Sequence, residues 1–411
     1  MKRILILERE SLTGYKDIKG QSILDLPETE VVLFAERRRT GQVAGIANVT
    51  VEGFTWKQFA DGASLREKAE FHHRQKPFDA VATLDELLIE VAAGLREALG
   101  IAGLSPAQAR RYRDKVEMKR IVGDSAIRVP EFSPAIERNR VEMLLETHGK
   151  LVLKPCSEAG SRHVAFIDTK EALADWYSST RDPGRFEAEE FIEGTLYHLD
   201  SVVRDGQICM TACAEYVPGM GNIDFTDGTP FTSYILNDSA LRRRFEKYAS
   251  EVIGALEFEN GVTHLECFLT ESGEIVFCEI GIRPGGGGIV GMTEAQYGVN
   301  LSRAALLLEL GMDNEALADI HERKDVTFGL AGLRDAKGGF VRVVPELSDF
   351  SDPWIENASI LVNQGDFRPP CEHCTDFVAR FIFTAEDRDD YLHKLDVLEQ
   401  RFRSGLEIEA L

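Results

Sequence analysis

The sequence predicts an open α/β domain followed by α+β structure. Two observations carry this. Up to about residue 105, short apolar runs alternate with segments of helical period, the pattern of an open parallel sheet. Further on, strand-like runs meet across turns. The clearest is Val262–Gly288, VTHLECFLTESGEIVFCEIGIRPGGGG, which reads as a β-hairpin followed by a glycine loop. The chain has 411 residues, 44% of them hydrophobic, enough for two or three domains with cores of their own.

In chain order, Arg3–Leu7, Glu30–Ala35 and Phe78–Thr83 are apolar runs typical of buried strands. An amphipathic helix over Glu86–Leu99 follows the third and is ended by Gly100 and Gly103. Thr83-Leu84-Asp85-Glu86 lies at a strand's carboxyl end and a helix start, where open α/β sheets bind ligands. Ser105-Pro106 pairs an N-cap with proline at the first helical position and predicts a helix to Ile121 carrying Arg113-Asp114-Lys115. Lys150–Lys154 and Val164–Ile167 read as strands around the loop Pro155–His163. After a helix over Glu171–Ser178 come strands at Phe186–Ile192 and Tyr197–Val203. Tyr216–Ser233 lacks periodicity and reads as a long loop of the kind that forms lids. Helices over Ser239–Leu256 and Thr293–Leu310 flank the hairpin, and the tail from Asp325 reads as strands with a helix near Asp387–Phe402.

The hairpin carries the chemistry. With Ser272-Gly273 as a two-residue turn, Glu266 faces Glu279, His264 faces Gly281 and Cys267 faces Cys278. Directly opposed residues share a sheet face with Cβ atoms about 4.5–5.5 Å apart. Two carboxylates that close repel unless a cation lies between them. Hard oxygen ligands suit Mg²⁺, which takes one or two carboxylates and completes its shell with substrate phosphates. Arg283 and four glycines follow, so a metal, a guanidinium and bare amides converge as phosphoryl chemistry requires.

Charge and cysteine usage exclude other classes. Lys and Arg number 47 against 69 Asp and Glu, a net charge of −22, which opposes nucleic acid and anionic membranes. No run of 18 apolar residues occurs, so no membrane span is expected. The start, MKRILILERE, reads as a first strand rather than a signal peptide. Seven scattered cysteines fit reduced thiols in a cytoplasmic protein. Cys371-Glu372-His373-Cys374 has half of a zinc site's spacing, with no second half to match it.

Neither G-x-x-x-x-G-K-[ST] nor a G-x-G-x-x-G after the first strand occurs, so a nucleotide needs another cradle. Lys154 ends a strand beside the small-residue loop Ser157-Glu158-Ala159-Gly160-Ser161, whose amides can turn toward phosphate oxygens. The acidic–apolar run Glu189-Glu190-Phe191-Ile192 suits an adenine edge. Taken in order, Arg-Asp-Lys, Leu-Lys-Pro with its loop, Glu-Glu-Phe-Ile-Glu-Gly and Glu-x12-Glu-x3-Arg with glycines resemble the ATP-grasp superfamily of carboxylate–amine ligases. Within it the chain looks most like the bacterial L-amino-acid ligases, which form dipeptides. Thr83–Gly103 followed by Ser105–Lys119 carries much of that closer likeness.

The resemblance implies an ATP-grasp fold with a leading α/β domain at 1–112, a small lobe at 113–188 and a large lobe at 189–411 that ends in an α+β subregion. It implies ATP and Mg²⁺, or Mn²⁺, with Glu266 and Glu279 holding the metal. Lys115 and Lys154 would contact phosphates, and Ser157, Gly160 and Ser161 would close over them. Glu189, Phe191 and Ile192 would hold adenine. Arg283, with Lys154 and Glu279, would act on the acyl phosphate, while Gly286 and Gly287 would face a substrate carboxylate. Glu86 would take the ammonium of the first amino acid, and His264 would touch substrate or phosphate.

The chain also departs from the superfamily pattern. Leu196 stands where many members carry a ribose-binding glutamate, leaving His198 or Glu193 for that contact, and Gly281 replaces a frequent metal-binding asparagine. Small-molecule substrates are implied, and homodimers are frequent among such ligases. A carrier-protein thiol as acceptor and biotin-type carboxylase chemistry are the competing readings.

Overall fold

The computed structural model describes residues 1–10, 12–43, 46–217, 227–323 and 325–410. The apolar runs near the start pair as strands β1 (Lys2–Glu8), β2 (Thr29–Glu36), β3 (Val49–Phe54) and β4 (Ala80–Thr83), parallel in the order β3-β2-β1-β4. Two helices, α1 (Trp56–Asp61) and α2 (Ala63–Gln75), precede β4, and α3 (Ile89–Leu99) follows it. Leu5, Leu7, Val32 and Phe34 pack against Leu65, Ala69, Ala92 and Leu95 on one face of this sheet. Ile4, Ile6, Val31 and Leu33 join a second core that reaches the largest sheet.

The helix expected over 106–121 is two. α4 (Pro106–Arg111) stops, and α5 (Lys115–Asp124) starts afresh because the Asp114 side chain accepts from the Val116 and Glu117 amides. A small sheet follows, built from β5 (Phe132–Pro134), β6 (Leu151–Pro155), β7 (Ala165–Ile167) and β8 (Phe186–Glu190) in the order β5-β8-β6-β7. Helices α6 (Arg138–His148) and α7 (Lys170–Ser179) cover it.

The third unit is an eight-stranded sheet in the order β13-β12-β9-β10-β11-β14-β18-β16. Its strands are β9 (Thr195–Arg204), β10 (Gln207–Tyr216), β11 (Phe231–Ile235), β12 (Gly261–Leu269), β13 (Ile275–Gly281), β14 (Thr327–Arg334), β16 (Ile355–Ile360) and β18 (Phe377–Ala385). β15 (Gly339–Val343), β17 (Phe367–Arg368) and β19 (Glu407–Glu409) make a short separate sheet. The helices are α8 (Ser239–Ala255), α9 (Ile289–Tyr297), α10 (Leu301–Glu309), α11 (Asp313–Leu317) and α12 (Arg388–Gly405). The single helix expected over 293–310 is split into α9 and α10 by left-handed Gly298 and the Asn300 cap. Tyr216 and Phe231–Ser233, expected in a loop, are strand ends, and residues 218–226 of the expected lid lie outside the described residues. Among the described residues no helix is long and apolar enough to cross a membrane.

The hairpin has the predicted pairing at its functional end and a different route to it. Its turn holds three residues, not two: Thr270 N–H donates to Glu274 O at 3.0 Å and Gly273 N–H to Thr270 O at 2.9 Å, with Gly273 at φ +84°. Cys267 therefore faces Phe277 and not Cys278, which corrects the expected thiol pair. A β-bulge between Glu266 and Cys267 makes Cys278 the extra residue and restores Glu266 opposite Glu279 and His264 opposite Gly281. Replacing Gly273 by valine is expected to destabilise the chain by about 1–2 kcal/mol in urea unfolding, because the left-handed backbone is strained for a branched side chain. Asparagine should cost less.

Candidate active site

Between the small sheet and the hairpin lies a cavity of about 340 Å³. Its walls are apolar where β6, β7 and the end of β8 contribute Val152, Phe166, Phe191 and Ile192, and where the large sheet adds Leu196 and Phe268. The Phe166 and Phe191 rings meet edge to face at 5.8 Å. Its polar end carries Lys115, Lys154, the loop from Glu158 to Arg162, and both Glu266 and Glu279. Flat apolar walls at one end and cations, amides and acids at the other fit a purine nucleotide with its phosphates.

The cations are held by anions that can give way to phosphate. Lys154 Nζ lies 2.6 Å from Glu189 and Lys115 Nζ lies 3.2 Å from Glu279. Burial alone would lower the Lys154 pKa, yet Glu189 and its neighbours carry it well above the usual lysine value. Burial likewise opposes ionisation of Glu279, but Lys115 and then Lys154 draw it down to about 2. Both groups are therefore charged at neutral pH. Beneath them Lys119 is fully buried, 2.5 Å from Glu187 and 2.7 Å from Glu189. Glu189 thus spends its side chain on two lysines, and only its backbone is left for a base.

The acid pair is backed by a buried polar chain. Glu266 accepts from the Tyr216 hydroxyl at 2.8 Å and lies 3.4 Å from His264 Nε2. His264 Nδ1 is 2.8 Å from one oxygen of Asp200, and His198 Nδ1 is 2.6 Å from the other. Burial would push His264 down, but the Asp200 carboxylate outweighs it and carries the imidazole up to about 10. His198, Asp200 and His264 also form the one cluster of metal-competent side chains among the described residues, and hydrogen bonds already account for it. Tyr216 and Asp200 escaped the sequence reading. The alternation His198-x-Asp200 in an otherwise apolar strand was the available signal for the second.

Arg283 leaves β13 and turns toward the N-terminal domain, where Nε donates to Glu86 at 2.6 Å. Arg113 binds the other oxygen of Glu86 and also the Ser157 carbonyl. Glu86 has both oxygens engaged by guanidiniums and orients Arg283. Two corrections follow. Ser157 is tied to Arg113 through its carbonyl, and the cavity is lined from Glu158 onward. His198 does not line the cavity: both its ring nitrogens are engaged, Nδ1 with Asp200 and Nε2 with Ser233 at 2.7 Å; Glu193 lines the cavity instead.

The remaining predicted residues fall around this centre. Gly160 and Ser161 line the cavity; Gly160 has φ +74°, and a Cβ there would lie 2.6 Å from His373 Nε2, so a larger residue would be strained and would displace the imidazole. Gly286 has open space around it, whereas Gly287 lies against the Phe231 ring. A Cβ at Gly285 would lie 2.9 Å from both Asp200 and His264, which brings the glycine loop down onto the site.

Residues 148–291 match the ATP-grasp domain model. The whole chain superposes on an L-amino acid ligase from Bacillus licheniformis with TM-score 0.79, 17% identity and coverage of 100% of this chain and 99% of that one. The chain carries an ATP-grasp domain and has the ATP-grasp fold. Among curated relatives, the L-arginine-specific L-amino acid ligase of Bacillus subtilis is 25% identical over 338 residues, 79% of this chain and 80% of the relative. The alanine–anticapsin ligase of Bacillus subtilis is 28% identical over 266 residues, 56% of this chain, and the match spans about half (53%) of that relative's length. The chain is an enzyme of mixed α/β architecture whose cleft has the two sheets on either side.

Lys119 gives a direct test of the cleft's electrostatics. Lys119→Met leaves Glu187 buried without its counter-charge and is expected to cost about 3–5 kcal/mol in urea unfolding. Adding Glu187→Gln should restore a large part of that loss.

Proposed function

We propose that this enzyme is an ATP-dependent carboxylate–amine ligase that joins the carboxylate of one amino acid to the amine of a second. The reaction would pass through an acyl phosphate and release ADP and phosphate. The observation that carries this reading is the opposed pair Glu266 and Glu279 at the polar end of an apolar cleft, with Arg283 next along the chain. The names of the curated relatives support the same class.

Roles follow from position. Val152, Phe166, Phe191 and Ile192 would hold the base, and Glu193 the ribose. Lys115, Lys154 and the amides around Gly160 would hold the phosphates. Glu266 and Glu279 have the chemistry of a magnesium site: hard oxygens, both facing the cleft, one already charge-compensated by Lys115. A bound Mg²⁺ would offset charge on the phosphates as the γ-phosphoryl group moves. Arg283, oriented by Glu86, would steady the donor carboxylate and then the acyl phosphate.

A carboxylate resists attack because its oxygen is a poor leaving group. When that oxygen bonds to the γ-phosphorus, the bond to the β-phosphate breaks and ADP forms. The amine then bonds to the acyl carbon, the carbon–oxygen bond to phosphate breaks, and the nitrogen loses a proton. We read 1–112, 113–188 and 189–411 as units that supply Glu86, the phosphate cradle and the acids in turn, with β8 (Phe186–Glu190) carrying the second unit past its limit to Glu190.

A product-mass screen of amino acid pairs with ATP identifies the substrates. With the active pair, ¹⁸O in the donor carboxylate should appear in released phosphate at one atom per turnover. Label retained wholly in the peptide and unreacted donor would contradict the acyl-phosphate route. Arg283→Ala should lower kcat by about 10²–10³-fold.

A further inference from the structure

Among the described residues, Arg380, a partly buried cation of the large sheet, has no ion pair. Register places it. Glu266 faces His198, His198 faces Ala214, Tyr216 faces Ser233, Ser233 faces Leu330, and Gly332 faces Arg380. Opposed residues and alternate residues share a face, so Arg380 rises from the same face as Glu266 and Asp200. The glycine loop runs across that face. Gly285 abuts Asp200 and His264, Gly287 abuts Phe231, and a Cβ at Gly288 would lie 2.7 Å from Arg380 Cδ and 3.5 Å from its Nε. Arg380 therefore lies against the start of α9, five residues beyond Arg283.

Among the described residues Arg380 Nε is buried and has no hydrogen-bond partner. Four other arginines near the domain interfaces have their partners. Arg113 and Arg283 bind Glu86, Arg96 binds Glu309, and Arg334 donates to the carbonyls of Cys374 and Thr229. A buried guanidinium nitrogen without an acceptor can take an anion from outside. The neighbouring helix start points the same way. Gly288 caps α9 with no side-chain hydrogen bond; the Ile289 amide donates to the Gly286 carbonyl at 3.1 Å, and those of Val290 and Gly291 have no intrahelical acceptor. A planar guanidinium beside free amides suits a carboxylate.

We infer that Arg380, with the first turn of α9, binds the free carboxylate of the acceptor amino acid. This rests on the ligase reading and sharpens it, since the acceptor must then carry a carboxylate as well as an amine. A thiol or sugar amine without one would lack this anchor.

The test uses the full-length enzyme, ATP, and the donor and acceptor found active in the product-mass screen. The acceptor is supplied either as the free acid or as its C-terminal amide. In R380Q the KM for the free acid should rise about tenfold or more, the cost of a lost charged hydrogen bond. The KM values for the amide and for ATP should stay within twofold of wild type. R380K, which keeps the charge, should recover part of the loss. An R380Q enzyme that is unchanged with the free acid, or that is equally impaired with acid and amide, overturns the inference and leaves the ligase reading intact. A wild-type enzyme that forms no product with any pair removes the ligase reading, and this inference with it.

Discussion

Everything in the cleft is arranged around two carboxylates that should not be neighbours. Glu266 and Glu279 stand opposite each other on adjacent strands, in a setting where burial makes repulsion strong. Lys115 relieves one of them and His264 borders the other. That leaves a cluster poised for a further cation carried in with a polyphosphate. The β-bulge at Cys278 is what puts both acids on the cleft side: without the extra residue, every side chain from Glu279 onward would change face.

The supporting parts make sense as consequences of that pair. Lys154, Lys119, Glu187 and Glu189 form a buried alternation of charges under the phosphate end. Each ion is tolerable only because its neighbours are opposite. Asp200 clamps His198 and His264, and His264 in turn borders Glu266. Glu86 holds Arg113 and Arg283 together, tying the N-terminal domain to the loop that leaves the hairpin.

Much of this was legible in the sequence, unevenly. Position read well where residue type marks it: Glu266 lies opposite Glu279, and Lys154 and the small-residue loop line the same cavity. A two-residue turn and the observed three-residue turn both put Glu266 opposite Glu279, because the bulge offsets the extra turn residue. Composition gives no sign of a bulge, so the Cys267–Cys278 pairing failed with it. β3 was missed because Val49–Phe54 is mostly half-exposed, and α2 because its face buries only Leu65, Ala69 and His72. Helix breaks at Asp114 and Asn300 needed weighing of a cap against an uninterrupted apolar period. The Lys119–Glu187 pair and the two arginines on Glu86 join residues far apart in sequence, where spacing carries no information.

The most direct test of the central claim is divalent-ion binding, independent of turnover. Mn²⁺ titrated into the enzyme with a non-hydrolysable ATP analogue can be followed by electron paramagnetic resonance. The account predicts a nucleotide-dependent site in the wild-type enzyme, weakened at least about tenfold in Glu266→Gln and in Glu279→Gln, which still fold. Unchanged Mn²⁺ affinity in both variants would contradict it.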